Sequence, residues 1–281
     1  MKYAVDIPNF GKWSDPGEVA EFARRIEEVG WDGLSIWDHI LVWDGAEVAD
    51  PWISLAAAAT VTQRITLMPM VTPIPRRHPW KLARETVSMD LLSQGRFILG
   101  VGLGWPTDPE FTRFHDEEDL RTRANMLDEG LTVLTGLWSG ESFSFEGDHY
   151  QVEPVTFLPT PIQKPRIPIW VAGMWPKRRP FRRAACWDGV APIISDGYEF
   201  EPMTPDVLAE IVAYVAAHRE TDHHFDVAPG GAALDEADRH GDYLAALEDA
   251  GATWWRESWI PGTAGSPEEW LERVMQGPPR T

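Results

Sequence analysis

Cysteine is almost absent from the chain: Cys186 is the only one among 281 residues. That excludes an intrachain disulfide and fits a reducing compartment, so the cytoplasm is the expected location. Basic side chains are also scarce, 25 Lys and Arg against 44 Asp and Glu, for a formal net charge of -19. So acidic a surface does not attract nucleic-acid phosphates or an anionic bilayer, and neither is an expected partner. No apolar run is long enough to span a membrane. The opening residues Met1 to Asp6 run straight into a strand pattern and do not read as a leader peptide. Signatures of several chemistries are missing as well. There is no phosphate loop ending in Gly-Lys-Ser or Gly-Lys-Thr and no Gly-x-Ser-x-Gly elbow. His223-His224 lie in a polar stretch without zinc spacing, and Cys186 has no base close to it in sequence. Carboxylates are too numerous for a glycosidase pair to be excluded by counting.

What is present is alternation. Strand-like segments at Tyr3–Ile7, Leu34–Trp37, Ile65–Val71, Phe97–Val101, Ile167–Val171, Gly189–Ile194, Phe225–Val227 and Thr253–Trp255 are separated by segments of helical spacing. Asp50-Pro51 reads as an N-cap followed by proline at the first helical position, and Ser93 to Gly95 read as a helix stop. Eight such repeats predict an α/β fold with a parallel sheet closed into a (β/α)8 TIM barrel, in one domain over 1–281. A doubly wound open sheet is the competing architecture, but it wants its glycine-rich loop after the first strand, and here that loop follows the fourth. The pattern breaks between Gly140 and Lys164, where alternation around Gly147-Asp148 predicts a small hairpin inserted between the fourth helix and the fifth strand. The 15 Trp residues suit either a packed core or a stacking surface for flat rings.

In a barrel, chemistry sits where the strands end. The fourth strand runs into Gly102-Leu103-Gly104-Trp105, which lets the backbone approach a ligand or simply makes a tight turn. The second strand runs into Asp38-His39. His is a base suited to neutral pH, and the neighbouring acid could hold it in place; the pair could equally serve structure alone. Basic residues gather after the third strand (Arg76, Arg77), at the start of the fourth helix (Arg121, Arg123) and after the fifth strand (Lys177, Arg178, Arg179, Arg182, Arg183). In an acidic protein these clusters read either as an anion-binding surface or as local charge balance.

These residues together resemble the bacterial luciferase-like family of flavin- and F420-dependent oxidoreductases. The resemblance is carried by Leu91 to Phe97 leading into Gly100 to Trp105, by Arg123 to Glu129 with Leu137-Trp138, by Asp38-His39, by Ile167 to Gly173, by Asp188-Gly189 and by Gly251 to Trp255. It implies a (β/α)8 barrel with F420 or FMN at the C-terminal mouth, F420 being favoured. It further implies His39 as base or ring-polarising group with Asp38 beside it, and Met70 and Val71 as a bulge, often with a cis peptide, backing the cofactor ring. Gly102, Leu103, Gly104 and Trp105 are implied as the loop under the ring. Arg123 is implied as a phosphate-contacting arginine, and Ala172, Gly173 and Met174 as the phosphate-binding turn. The sequence departs from some relatives: Trp105 stands where certain F420-dependent sugar-phosphate dehydrogenases carry Glu, and Leu103 where luciferase carries Arg. The implied function is a luciferase-like oxidoreductase or monooxygenase acting on a small organic molecule, by hydride transfer with F420 or oxygenation with FMN. The other readings are a non-catalytic flavin-binding protein on the same barrel and a barrel hydrolase. Members are often dimers, so the resemblance admits a homodimer. No metal is expected.

Overall fold

The computed structural model describes residues 1–105, 109–195, 200–231, 240–258 and 266–279. Along them strands and helices alternate as β1 (Lys2–Ile7), α1 (Pro16–Glu28), β2 (Gly33–Ile36), α2 (Pro51–Val61), β3 (Thr66–Pro69), α3 (Pro79–Leu92), β4 (Leu99–Gly102) and α4 (Leu120–Trp138). Then follow β5 (Ile169–Trp175), α5 (Arg178–Ala184), β6 (Gly189–Ser195), α6 (Pro205–Ala216), β7 in two pieces (Asp226–Val227 and Gly230–Gly231), α7 (His240–Asp249), β8 (Trp254–Ser258) and α8 (Pro267–Val274).

Helix starts follow local chemistry. Asp15, Asp50 and Asp119 each accept a backbone N–H from the first turn of α1, α2 and α4, satisfying donors that have no partner within the helix. Ser266 and Glu269 form a reciprocal capping box on α8. Beyond α3 the chain reverses through Gln94 (φ 56°) and Gly95 (φ 80°), the stop expected there.

All eight strands pair in parallel, and hydrogen bonds pass from strand to strand around the ring. β1 lies between β8 and β2, and β2 pairs β3. β3 reaches β4 through Leu67, whose N–H donates to Arg96 O and whose carbonyl accepts from Ile98 N–H. β4, β5 and β6 follow in order; the first piece of β7 pairs β6 and the second pairs β8. The expected hairpin forms from Ser142–Glu146 and Gln151–Thr156.

Because successive side chains in a strand face opposite ways, the ring separates two cores. Outward residues such as Val5, Leu34, Leu99 and Val171 pack against the helices. Inward residues Ala4, Met68, Met70, Ile98, Trp170, Ala191, Ala228 and Trp254 fill the barrel, with Trp170 and Trp254 edge to face at 5.5 Å. A polar layer of Asp6, Ser35, Arg256 and Ser258 lies above that plug, toward the C-terminal strand ends, and all four are buried. Among the described residues no helix is long and apolar enough to cross a membrane.

Candidate active site

A cavity of about 660 Å³ opens at the C-terminal mouth. Its walls include Asp38, His39, Met70, Val71, Gly102, Leu103, Gly104, Trp105, Ala172, Gly173 and Met174, so strand ends far apart in sequence converge there. The peptide bond between Met70 and Val71 is cis, as the resemblance implies. Gly104 has a φ of 79°, which an L side chain rarely adopts, and a Cβ there would run into the Phe111 ring. At Gly102 a Cβ would come within 2.6 Å of Val71 Cγ2. Gly104 therefore makes room for Phe111, which lies off the wall, and Gly102 for Val71, which is part of it.

The environment of His39 differs from the sequence expectation. Asp38 does not hold the imidazole. Its buried carboxylate accepts from Arg76 Nη2 (2.8 Å), from Arg77 Nη2 (2.8 Å) and, weakly, from Trp52 Nε1 (3.4 Å). The carboxylate beside His39 belongs to Glu110, whose Oε1 lies 3.4 Å from His39 Nδ1. Glu110 is fully buried on a single helical turn, Pro109–Thr112. It also pairs with Arg76 and accepts the backbone N–H groups of Ile40 and Leu41. Asn9 fixes the backbone at His39, donating to its carbonyl at 2.7 Å. Sequence reading missed Glu110 because its partner is 71 positions away, and nothing local distinguishes it from the other carboxylates.

The basic residues divide by location. Arg76 and Arg77 are committed to Asp38 and Glu110 and are not spare cations. Arg123 is also off the wall. It is 1% exposed, lies 3.3 Å from the Phe111 ring centre, and donates to Glu117 O and Trp105 O, which makes it a brace for the loop after β4. Arg183 lines the cavity but pairs with Asp128. Arg178 and Arg182 turn to Trp175 and Tyr214. Arg121, Lys177 and Arg179 are exposed and on the wall, and they form its cationic rim. Of the tryptophans, Trp37 and Trp105 line the cavity, whereas Trp43 stands 57% exposed with its edge on Phe10.

Residues 7–209 match the family model for luciferase-like monooxygenases. The chain belongs to that family. Among curated relatives, it is 30% identical over 190 residues to an F420-dependent glucose-6-phosphate dehydrogenase of Microbacterium testaceum (strain StLB037), over 62% of this chain and 51% of the relative. The chain thus spans about half the length of such relatives. Similar luciferase-like folds include the monooxygenase RslO1 from Streptomyces bottropensis (TM-score 0.75, 21% identity, 98% of this chain and 97% of that one). The coenzyme F420 dependent tetrahydromethanopterin reductase of Methanopyrus kandleri is also similar (TM-score 0.74, 18% identity, 98% and 97%). These likenesses bear out the closed α/β barrel expected from the eight repeats.

Proposed function

We propose that this luciferase-like chain is an oxidoreductase that uses a deazaflavin or flavin, with F420 preferred to FMN, on a small organic substrate. The observation that carries the reading is a single cavity with three different surfaces: an apolar wall of Met70, Val71, Gly102 and Leu103, the cationic rim, and His39 beside buried Glu110. A flat ring suits the apolar wall, and an anionic side chain suits Arg121, Lys177 and Arg179. Three cations suit the longer, more highly charged tail of F420 better than the single phosphate of FMN. The similarity to relatives named as F420-dependent supports the same choice.

When bound, such a group supplies hydride transfer, or oxygen activation in the case of FMN. The chain supplies the rest. The walls around Trp37, Trp105 and Ile193 hold the substrate out of bulk water. With Nδ1 turned to the Glu110 carboxylate, Nε2 of His39 is the nitrogen left to hold or move a proton in the cavity. A non-catalytic flavin-binding protein has no need of such a pair.

Fluorescence titration of the purified protein with F420 and FMN tests the cofactor. Tighter binding of F420 is expected, tighter FMN binding moves the reaction to oxygenation, and binding of neither overturns the reading. His39→Ala is expected to reduce turnover by roughly 10²–10⁴-fold with little change in cofactor affinity, and unchanged turnover removes His39 from the chemistry.

A further inference from the structure

We propose that Arg256, braced by Asp6, is the group that recognises the substrate, and that it selects an uncharged compound through a carbonyl oxygen. This rests on the reading of the cavity as a redox site and adds its substrate class.

Arg256 projects inward from β8 onto the cavity wall and is only 6% exposed. Its Nε donates to Ala228 O at 3.1 Å and its Nη1 lies 3.5 Å from Asp6 Oδ2. Among the described residues Nη2 has no hydrogen-bond partner. Arg256 lines the cavity with this donor left over, so this edge of the guanidinium is suited to an acceptor brought by a ligand. Burial pushes the Arg256 pKa down and the Asp6 carboxylate opposes that shift; with an ordinary value so high, the group stays charged.

The choice of acceptor follows from Asp6. Its carboxylate already accepts from Ser35 Oγ, from Trp37 Nε1 at 2.9 Å and from Ser258 Oγ at 2.8 Å, so it is fully engaged. Asp6 and Arg256 together are neutral. A carboxylate or phosphate at Nη2 would place a second anion beside Asp6, with one guanidinium serving both, whereas a carbonyl oxygen accepts the hydrogen bond without that repulsion. Strand order puts β8 across the ring from β4, so the arginine faces the apolar wall assigned to the cofactor ring, and the substrate lies between them. The exposed cations that suit anions are on the β4 and β5 side. Gly230 sets the reach of the group: a Cβ there would stand 3.0 Å from Nη2.

Ligand-observed NMR titration with cyclohexanone and cyclohexanecarboxylate as matched probes tests the proposal, on protein with and without added cofactor. Cyclohexanone is expected to bind more tightly than the carboxylate. Arg256→Met and Gly230→Ala are each expected to weaken it roughly tenfold, the loss of one charge-assisted hydrogen bond. If Arg256→Met fails to fold by circular dichroism, Arg256→Lys and Gly230→Ala decide. No ketone binding, equal ketone binding in wild type and variants, or preference for the carboxylate overturns the proposal. Failure to bind either F420 or FMN overturns the redox reading instead, and the ketone titration of cofactor-free protein still reports on Arg256.

Discussion

Two neighbouring residues, Asp38 and His39, have separate tasks. Asp38 pairs with Arg76 and Arg77, while His39 meets Glu110. Glu110→Gln and Asp38→Asn each take one anion from a buried ion-pair network, and each is expected to cost about 3–5 kcal/mol in urea unfolding. Of the two carboxylates only that of Glu110 meets the imidazole, so Glu110→Gln is expected to lower turnover well beyond Asp38→Asn at a temperature where both are folded. Equal turnover in the two variants removes Glu110 from the positioning of His39.

At the scale of elements, the loop after β4 is held from behind. Arg123 lies over Phe111 and donates to Trp105 O, and Gly104 makes room for the same ring. The turn that carries Phe111 also carries Glu110. Gly104→Ala is therefore expected to cost about 1–3 kcal/mol and to lower turnover, and Phe111→Leu added to it should restore part of both. A strictly additive double mutant rejects this coupling. A second junction joins α1 to β3, where Glu27 accepts the backbone N–H groups of Gln63, Arg64 and Ile65. Burial pushes its carboxyl pKa up, and the three backbone donors outweigh that, so the net shift is downward. A folded pKa below the unfolded one gives stability that is present above the unfolded value and lost as pH falls through the folded value. Glu27→Gln is expected to lose about 1–3 kcal/mol at neutral pH and to show a flatter acid limb in urea midpoint against pH. Parallel limbs would exclude Glu27 from the acid transition.

For the molecule as a whole, ring closure couples the two ends of the chain, because β8 pairs both β1 and the second piece of β7. Thermal unfolding is accordingly expected as one transition, with far-UV circular dichroism and tryptophan fluorescence coincident; separate midpoints would indicate two units. The alternation that predicts eight units is a local property, carried by apolar spacing and by caps such as Asp50-Pro51. It was therefore legible in sequence, along with the convergence of strand ends on one mouth. The partner of His39 and the location of each arginine depend on side-chain direction and on contacts far apart in sequence, and so were not. Arg76, Arg77 and Arg123 look alike in sequence to Arg121 and Arg179, yet the first three are tied up behind the wall and the last two face the cavity.

By itself the sequence determined the class of fold, the order of its units, the inserted hairpin and the strand ends that line the cavity. These follow from periodicity, capping and turn residues, which act over a few positions. Tertiary structure alone decided which carboxylate attends His39, which cations remain on the rim, and that Asp6 and Arg256, 250 positions apart, share one polar layer. The physical reason is that burial and ion pairing depend on where the closed ring points each side chain, and closure is a property of the whole chain.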